Sequence, residues 1–261
     1  MKNSRLHWEH DDTYFTSQTS EYERIFEYPA TVVPEEVAPA EVLGRIPRKL
    51  NGTMSSFIEP LRNAIVRNDA MRTQTKVIGL TSARNGEGVS TISAGLAVTL
   101  SGHREGRVLF ADCNFYRPSV HRQFNLQLTP GFSDMIRDNL PISSVINSVD
   151  PKYLDVLTAG TVFPAEQGLT TCLRLRSMFE QFLEDYQYVV LDLPSLERSH
   201  QCCMAFSEFV NGIILVIECE RTRTEALNHV IDNFSRSKVN LMGVVLNKRK
   251  FYLPDWLYNK L

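Results

Sequence analysis

No stretch of this sequence approaches the ~18 consecutive apolar residues that a membrane-spanning helix needs. The apolar run at residues 213–217 has only the length of a strand. The first residues include basic side chains, but no apolar segment follows them, so the pattern of a secretory leader is missing. We therefore expect a cytoplasmic protein without a membrane span of its own.

Metal-binding cysteine patterns and a strong net charge are missing as well. The five cysteines include no CxxC pair and no Cys/His spacing suited to zinc, which predicts reduced and mostly buried thiols. The formal net charge of −2 provides no attraction to nucleic acid or to an anionic membrane surface. We expect no nucleic-acid partner.

Residues 1–50 lack the periodicity of either a strand or a helix and are rich in Glu, Ser, Thr and Pro. This composition predicts an extended N-terminal arm or linker. Residues 51–250 have the pattern of a globular domain. Residues 251–261 form a basic and aromatic C-terminal tail, for which packing on the domain, a protein partner and a lipid surface all remain open.

Within the domain, a helix is predicted over residues 55–71, and short β-rich runs then alternate with helical stretches. This alternation predicts an α/β fold with three layers, α/β/α, around a mostly parallel central sheet. Two of the runs are apolar throughout, as expected for central strands that are covered on both faces. The predicted strands are 77–82, 107–112, 154–159, 188–192, 212–218 and 241–247.

The first of these strands runs into a loop with two glycines, followed by an Ala-rich helix predicted over 92–100. Gly86 and Gly88 let the backbone curl so that successive N–H groups point inward, and the helix presents its N-terminal end to an anion. This order is typical of a phosphate-binding loop. We predict that a nucleotide contacts Asn85, Gly86, Glu87, Gly88, Val89, Ser90 and Thr91.

The lysine that such a loop normally has is absent. A working loop places Lys before Ser or Thr, with the Lys on the β- and γ-phosphates and the hydroxyl on Mg²⁺. Here Ser90 and Thr91 are present, but Val89 occupies the lysine position. A charge-assisted hydrogen bond contributes roughly 1.5–3 kcal/mol, about ten- to a hundredfold in binding. The loss for phosphoryl transfer should be larger. Arg84 is the candidate substitute.

Two of the predicted strands end in aspartate, namely Asp112 and Asp192. The carboxyl ends of parallel strands meet at the edge of the sheet where ligands bind. Carboxylates there suit Mg²⁺ or a water bound to it. We predict that Ser90, Asp112 and Asp192 hold Mg²⁺ and that the two aspartates are the catalytic carboxylates.

From about residue 55 to 248 the chain resembles the bacterial tyrosine-kinase family of capsule and exopolysaccharide synthesis, relatives of the MinD/ParA ATPases. The matching segments are 86–91 for Walker A, 108–118 for a second Walker motif peculiar to this family, and 188–194 for Walker B. Runs at 131–134, 154–160 and 243–248 match outside the site. The resemblance implies a P-loop NTPase-like fold, ATP or ADP with Mg²⁺, and Asn247 as a further nucleotide contact.

The same resemblance implies protein-tyrosine kinase activity and homo-oligomers. It also implies a membrane polysaccharide co-polymerase as partner, whose cytoplasmic region would hold the chain at the inner face of the cell membrane.

Four departures from the family pattern weaken the expectation of kinase activity. Val89 replaces the Walker A lysine, and Asn114 replaces the second carboxylate of an Asp-x-Asp motif. In the oligomerisation helix Glu59 and Arg62 fit, but Ile65 replaces an arginine. The C-terminal tyrosine cluster is reduced to Tyr252 and Tyr258. The favoured hypothesis is a pseudokinase with a regulatory or scaffold role, for which nucleotide binding without turnover and a site that has lost its nucleotide and Mg²⁺ both remain open. The alternatives are an active kinase or ATPase that uses Arg84 or a partner's residue, and a MinD/ParA-like positioning ATPase.

Overall fold

The computed structural model describes residues 30–34, 53–67, 75–104, 106–150, 152–161 and 185–249. Elements are labelled in chain order within these ranges. Most of the predicted N-terminal arm lies outside them, as do the C-terminal tail and its two tyrosines, Tyr252 and Tyr258.

The strands in these ranges form one eight-stranded sheet in the order β1-β8-β7-β2-β6-β3-β5-β4. All neighbours are parallel except β4 and β5, which are antiparallel. The strand β2 lies near the centre, and its carboxyl end lies beside that of β6. The strands are β1 Ala30–Pro34, β2 Lys76–Ser82, β3 Val108–Asp112, β4 Ile146–Asp150, β5 Leu154–Leu157, β6 Tyr188–Asp192, β7 Gly212–Glu218 and β8 Leu241–Arg249.

Helices cover both faces of the sheet. The helices in the described ranges are α1 Thr53–Arg67, α2 Val89–Gly102, α3 Val120–Gln123, α4 Phe132–Asp138, α5 Leu196–Ser207 and α6 Thr224–Arg236. Side chains of α1, α2 and α3 belong to one buried apolar cluster, and side chains of α4, α5 and α6 belong to another. The predicted three-layer α/β/α fold with a mostly parallel sheet is confirmed.

The central strands explain why the sequence shows continuous apolar runs instead of alternation. Successive residues of a strand point to opposite faces, so Leu109 joins the cluster under α4 to α6 and Phe110 the cluster under α1 and α2. Val189 and Val190 divide in the same way. Because both faces are covered, the positions of these two strands before their terminal aspartates carry apolar or aromatic side chains.

Two strands and one disulfide were not predicted. The strand β1 comes from the predicted arm and pairs in parallel with β8, with Ala30 opposite Val244. The strand β4 is half-exposed along most of its length, so its sequence lacks the apolar pattern of a buried strand. Cys202 is disulfide-bonded, which corrects the prediction of reduced thiols, while Cys113 and two other cysteines are free. Spacing along the chain does not indicate which thiols the fold brings together.

The helix α1 contains the three positions, Glu59, Arg62 and Ile65, that the resemblance assigns to an oligomerisation helix. Ile65 is only 2% exposed and packs with Ile58 and Leu61 in the cluster under α1 and α2. An arginine at this position would therefore be buried in the core. Glu59 Oε1 lies 2.9 Å from Nε2 of His103, just beyond the end of α2.

Candidate functional site

The predicted phosphate loop connects β2 to α2 at the carboxyl edge of the sheet. Gly86 and Gly88 have φ angles of +85° and +95°, in the left-handed region that favours glycine. Gly88 caps α2, which begins at Val89 instead of the predicted residue 92. The first N–H groups of a helix have no intrahelical acceptor and are available to an anion. The backbone therefore has the features of an anion-binding loop.

We expect replacement of Gly88 by alanine to destabilise this loop. A Cβ atom at Gly88 would lie 2.1 Å from Nδ2 of Asn247, and its φ angle is strained for any L side chain. Strain of roughly 1–3 kcal/mol should lower the melting temperature by about 2–10 °C. Thermal unfolding of Gly88→Ala measures this. The matched control is Gly102→Ala at the end of α2, where an added Cβ meets nothing within 4 Å. Equal melting temperatures for the two variants would contradict the prediction.

Glu87 braces the loop from inside the protein. Its side chain is fully buried, and Oε2 accepts a hydrogen bond from Arg84 N at 2.7 Å. Oε1 accepts hydrogen bonds from Glu218 N at 3.3 Å and from the Thr222 hydroxyl. The sequence predicted Glu87 as a nucleotide contact, but its carboxylate is engaged by the segment that follows β7. No sequence pattern predicts the contacts of Glu87 with Glu218 and Thr222, which lie more than a hundred residues further along the chain.

The end of β8 braces the other side of the loop. Asn247 is buried and donates from Nδ2 to the Glu87 carbonyl at 2.8 Å. Lys248, which has a φ of +57°, donates from Nζ to the Gly86 carbonyl at 2.8 Å and lies 3.2 Å from Glu218 Oε2. Asn247 was predicted as a nucleotide contact and meets the loop itself. Lys248 was not singled out, although its neighbour was.

Val89 is a core residue as well as a loop residue. Its side chain is 9% exposed and belongs to the apolar cluster under α1 and α2, together with Ile92 and Val245. The lysine position is therefore filled by a side chain that packs, and no cation comes from this position of the loop.

A cavity of about 330 Å³ opens between the phosphate loop and the segment after β3. This volume is within the range of small-molecule sites. All the predicted loop contacts except Glu87 line it. The lining residues are Ser82, Asn85, Gly86, Gly88, Val89, Ser90, Thr91, Asn114, Arg117, Ser119, Arg122, Gln123, Leu193 and Ser195.

Asp112 has a structural role at the end of β3. Its side chain is fully buried. Oδ1 accepts a hydrogen bond from Asn114 N at 3.1 Å, and Oδ2 accepts from Ser119 N at 3.0 Å and Val120 N at 3.1 Å. Burial raises the pKa of Asp112 to about 6, against the lowering effects of these N–H groups and of the Arg122 charge. Asp112 thus holds the segment that forms one wall of the cavity.

Asp192 has no such partners. It lies opposite Asp112 in the register of β6 and β3, and both carboxylate oxygens are buried without a hydrogen-bond partner among the described residues. Burial first, and then the charge of Asp112, raise the pKa of Asp192 well above its usual range, while the Ser90 hydroxyl acts in the opposite direction. A buried carboxylate without hydrogen-bond partners, beside a second carboxylate, fits a bound cation.

These residues fit a magnesium ion. Mg²⁺ is usually bound by one or two carboxylates together with water and substrate phosphates. The described residues contain no group of three or more His, Cys, Asp or Glu side chains that could hold a metal without such help. Asp192, Ser90 and Asp112 are the residues that would hold Mg²⁺ jointly with a bound phosphate, and this assignment stays a prediction of the sequence.

Arg84, the predicted substitute for the lysine, faces elsewhere. It is exposed and lines a second cavity of about 360 Å³, together with Glu197 of α5 and Arg223 at the start of α6. The next residue, Asn85, is held by Glu197 Oε2, which accepts from its N at 3.2 Å. The arginines that do line the phosphate-loop cavity are Arg117 and Arg122, which were not among the residues predicted for the site.

Comparisons with known proteins agree with this geometry. No protein-family model matches the chain. The tyrosine-protein kinase YwqD of Bacillus subtilis is 27% identical over 177 residues, which cover 68% of this chain and 74% of YwqD.

Among solved structures, the kinase domain of the Escherichia coli tyrosine kinase ETK superposes with a TM-score of 0.75 at 18% identity, over 90% of this chain and 97% of that one. The chimerical protein CapA2B2 gives a TM-score of 0.74 at 21% identity, over 90% and 100%. The septum site-determining protein MinD of Pyrococcus horikoshii, solved with Mg-ADP, gives a TM-score of 0.55 at 17% identity, over 71% and 76%. The chain is thus similar in sequence to bacterial tyrosine-protein kinases and shares the P-loop fold of their kinase domains, as its motifs predict.

Proposed function

We propose that this protein binds a nucleoside di- or triphosphate with Mg²⁺ and transfers the phosphoryl group weakly or not at all. The observation that supports this most directly is the position of Val89, a packed apolar residue at the lysine position of a cavity that keeps its other polar groups. Backbone N–H groups of the loop and of α2 bind the phosphates, and Asp192, Ser90 and Asp112 hold the metal. Bound Mg²⁺ supplies neutralisation of phosphate charge.

Phosphoryl transfer needs more charged side chains in the cavity than nucleotide binding does. Phosphoryl transfer depends on groups that stabilise charge developing in the transition state. Val89 provides no cation there, and Asn114, which lines the cavity, provides an amide at the position of a family carboxylate. The two replacements remove one positive and one negative group from the same cavity. Both should lower the rate of transfer more than the affinity for nucleotide.

The proposed biological role is regulatory or structural. The chain would act as a pseudokinase-like subunit of exopolysaccharide synthesis or export, on the cytoplasmic side, beside a membrane polysaccharide co-polymerase. Its likeness to bacterial tyrosine-protein kinases supports this role. No helix in the described ranges is both long enough and apolar enough to cross a bilayer. Attachment to the membrane through the partner is part of this proposal.

Purified protein incubated with radiolabelled ATP and Mg²⁺ tests the catalytic half of the proposal, and titration calorimetry with Mg-ADP tests the binding half. We expect micromolar to sub-millimolar affinity for Mg-ADP, at least tenfold weaker affinity in EDTA, and no label on tyrosine. Robust autophosphorylation that disappears in Asp192→Ala would instead establish an active kinase. Absence of binding at millimolar Mg-ADP would refute the nucleotide-binding half.

A further inference from the structure

The phosphate-loop cavity contains positive charge that does not come from the loop. Residues of the segment after β3 and of α3 also line the cavity, and Arg117 and Arg122 are among them. Both side chains are exposed, so their charges have not been buried in ion pairs within the core. Opposite them stand Val89, Ser90 and Thr91, at the start of α2. An anion on the loop would therefore lie between the helix N-terminus and two arginines.

The segment with these arginines has a defined backbone. Three of its N–H groups, those of Asn114, Ser119 and Val120, bind the buried carboxylate of Asp112. Arg117 N donates to Asn114 Oδ1 at 3.2 Å. Arg122 follows in α3, and its Nη2 donates to the Pro118 carbonyl at 3.2 Å. The cavity wall is thus tied to the end of β3 without any ligand.

Other cations near the loop are engaged differently. Lys248 Nζ donates to the Gly86 carbonyl and to the Glu218 carboxylate. Arg221 Nη1 lies 2.9 Å from the same Glu218 carboxylate. Arg84 lines the neighbouring cavity. Among the described residues, the arginines and lysines that line the phosphate-loop cavity are Arg117 and Arg122.

We propose that Arg117 and Arg122 bind the terminal phosphates of a nucleotide in this cavity and supply the positive charge that Val89 does not. Guanidinium groups suit this task because their planar forks match phosphate oxygens and keep their charge at any physiological pH. The inference rests on the proposed nucleotide binding and adds the residues responsible for it. It also explains how a loop without its lysine retains affinity: the charge comes from the opposite wall.

The test is titration calorimetry of Mg-ADP into wild-type protein and into Arg117→Gln/Arg122→Gln. Each charge-assisted bond contributes roughly ten- to a hundredfold in affinity, so we expect the double variant to bind Mg-ADP at least tenfold more weakly. The matched control is Arg84→Gln/Arg223→Gln, which removes the same charge from exposed side chains of the second cavity. It should bind within twofold of wild type. Arg117→Lys/Arg122→Lys should recover part of the affinity.

The outcomes separate this inference from the proposed function. If Arg117→Gln/Arg122→Gln binds Mg-ADP with the affinity of the wild type and melts at the same temperature, the inference is overturned. The proposal that the protein binds a nucleotide then still stands. Equal losses in both double variants also overturn it, because they would indicate a general effect of surface charge. Failure of the wild type to bind Mg-ADP refutes both claims. Loss confined to the Arg117 and Arg122 variant supports them.

Discussion

Replacing Val89 by lysine, together with Asn114 by aspartate, is expected to raise Mg²⁺-dependent ATP hydrolysis roughly 10²–10³-fold, the effect typical of one well-placed charge-stabilising donor. Val89 lines the cavity at the start of α2, so the longer side chain can follow the cavity wall and place its amine beside bound phosphates. The aliphatic part of lysine replaces much of the apolar contact that valine makes. Val89→Lys alone should tighten Mg-ATP binding about ten- to a hundredfold.

The control for this prediction is Val89→Met, which has comparable length without the charge. Equal rates of ATP hydrolysis in the methionine and lysine variants would contradict the prediction. They would show that the packing of the side chain at position 89, and not a missing cation, limits hydrolysis. Asn114→Asp alone should raise ATP hydrolysis little, because the lysine position still provides no cation for the transition state. Hydrolysis is measured by release of labelled phosphate, with thermal unfolding to confirm that each variant folds.

The sequence was sufficient for the sheet because its strands are buried on both faces. Residues 188–192 and 212–218 were predicted with the bounds they have. The edge strands β1 and β4 were missed because they lie at the margins of the sheet, where burial imposes less pattern. The phosphate loop was recognisable because Gly86 and Gly88 need conformations that few other residues adopt.

The contacts that complete the site depend on tertiary proximity, which the sequence does not encode locally. Glu87 meets Thr222 and Glu218 across more than a hundred residues. Arg117 and Arg122 follow β3, and the phosphate loop follows β2. The two segments meet because β2 and β3 both lie next to β6 in the sheet. Arg84 was the predicted substitute for the lysine because it lies in the loop sequence. In the structure it lines the second cavity instead.

The two aspartates also differ in a way that no motif reveals. Both end apolar strands, and the sequence assigned them the same roles. In the structure the Asp112 carboxylate accepts hydrogen bonds from three backbone N–H groups, whereas the Asp192 carboxylate accepts none from the described residues. The backbone N–H groups stabilise the charged form of Asp112, so Asp192 bears most of the unfavourable electrostatic free energy. Removing the charge of Asp192 should therefore stabilise the protein while it abolishes metal binding.

We expect Asp192→Asn to raise the melting temperature of the nucleotide-free protein at pH 7.5 by about 4–8 °C, from roughly 2 kcal/mol of relieved burial of an unpaired charge. The gain depends on pH in a defined direction. A carboxyl whose pKa is raised on folding binds more protons in the folded state, so the free energy of unfolding falls as the pH rises from about 4 through the folded pKa. The variant lacks the contribution of Asp192 to this fall, and its advantage should shrink toward pH 5.

Saturating Mg-ADP should narrow or reverse this difference between the two proteins. Ligand at a hundred times its Kd stabilises the wild type by about 2.7 kcal/mol, whereas the variant, without the carboxylate that binds the metal, should gain clearly less. The control is Asp155→Asn, which removes the same charge from a buried carboxylate that pairs with Arg107 at 2.5 Å and accepts the Tyr186 hydroxyl at 2.8 Å. That variant should melt lower than wild type and still respond to Mg-ADP. If Asp192→Asn also melts lower and keeps the full Mg-ADP shift, then Asp192 is a structural carboxylate and the magnesium site is elsewhere.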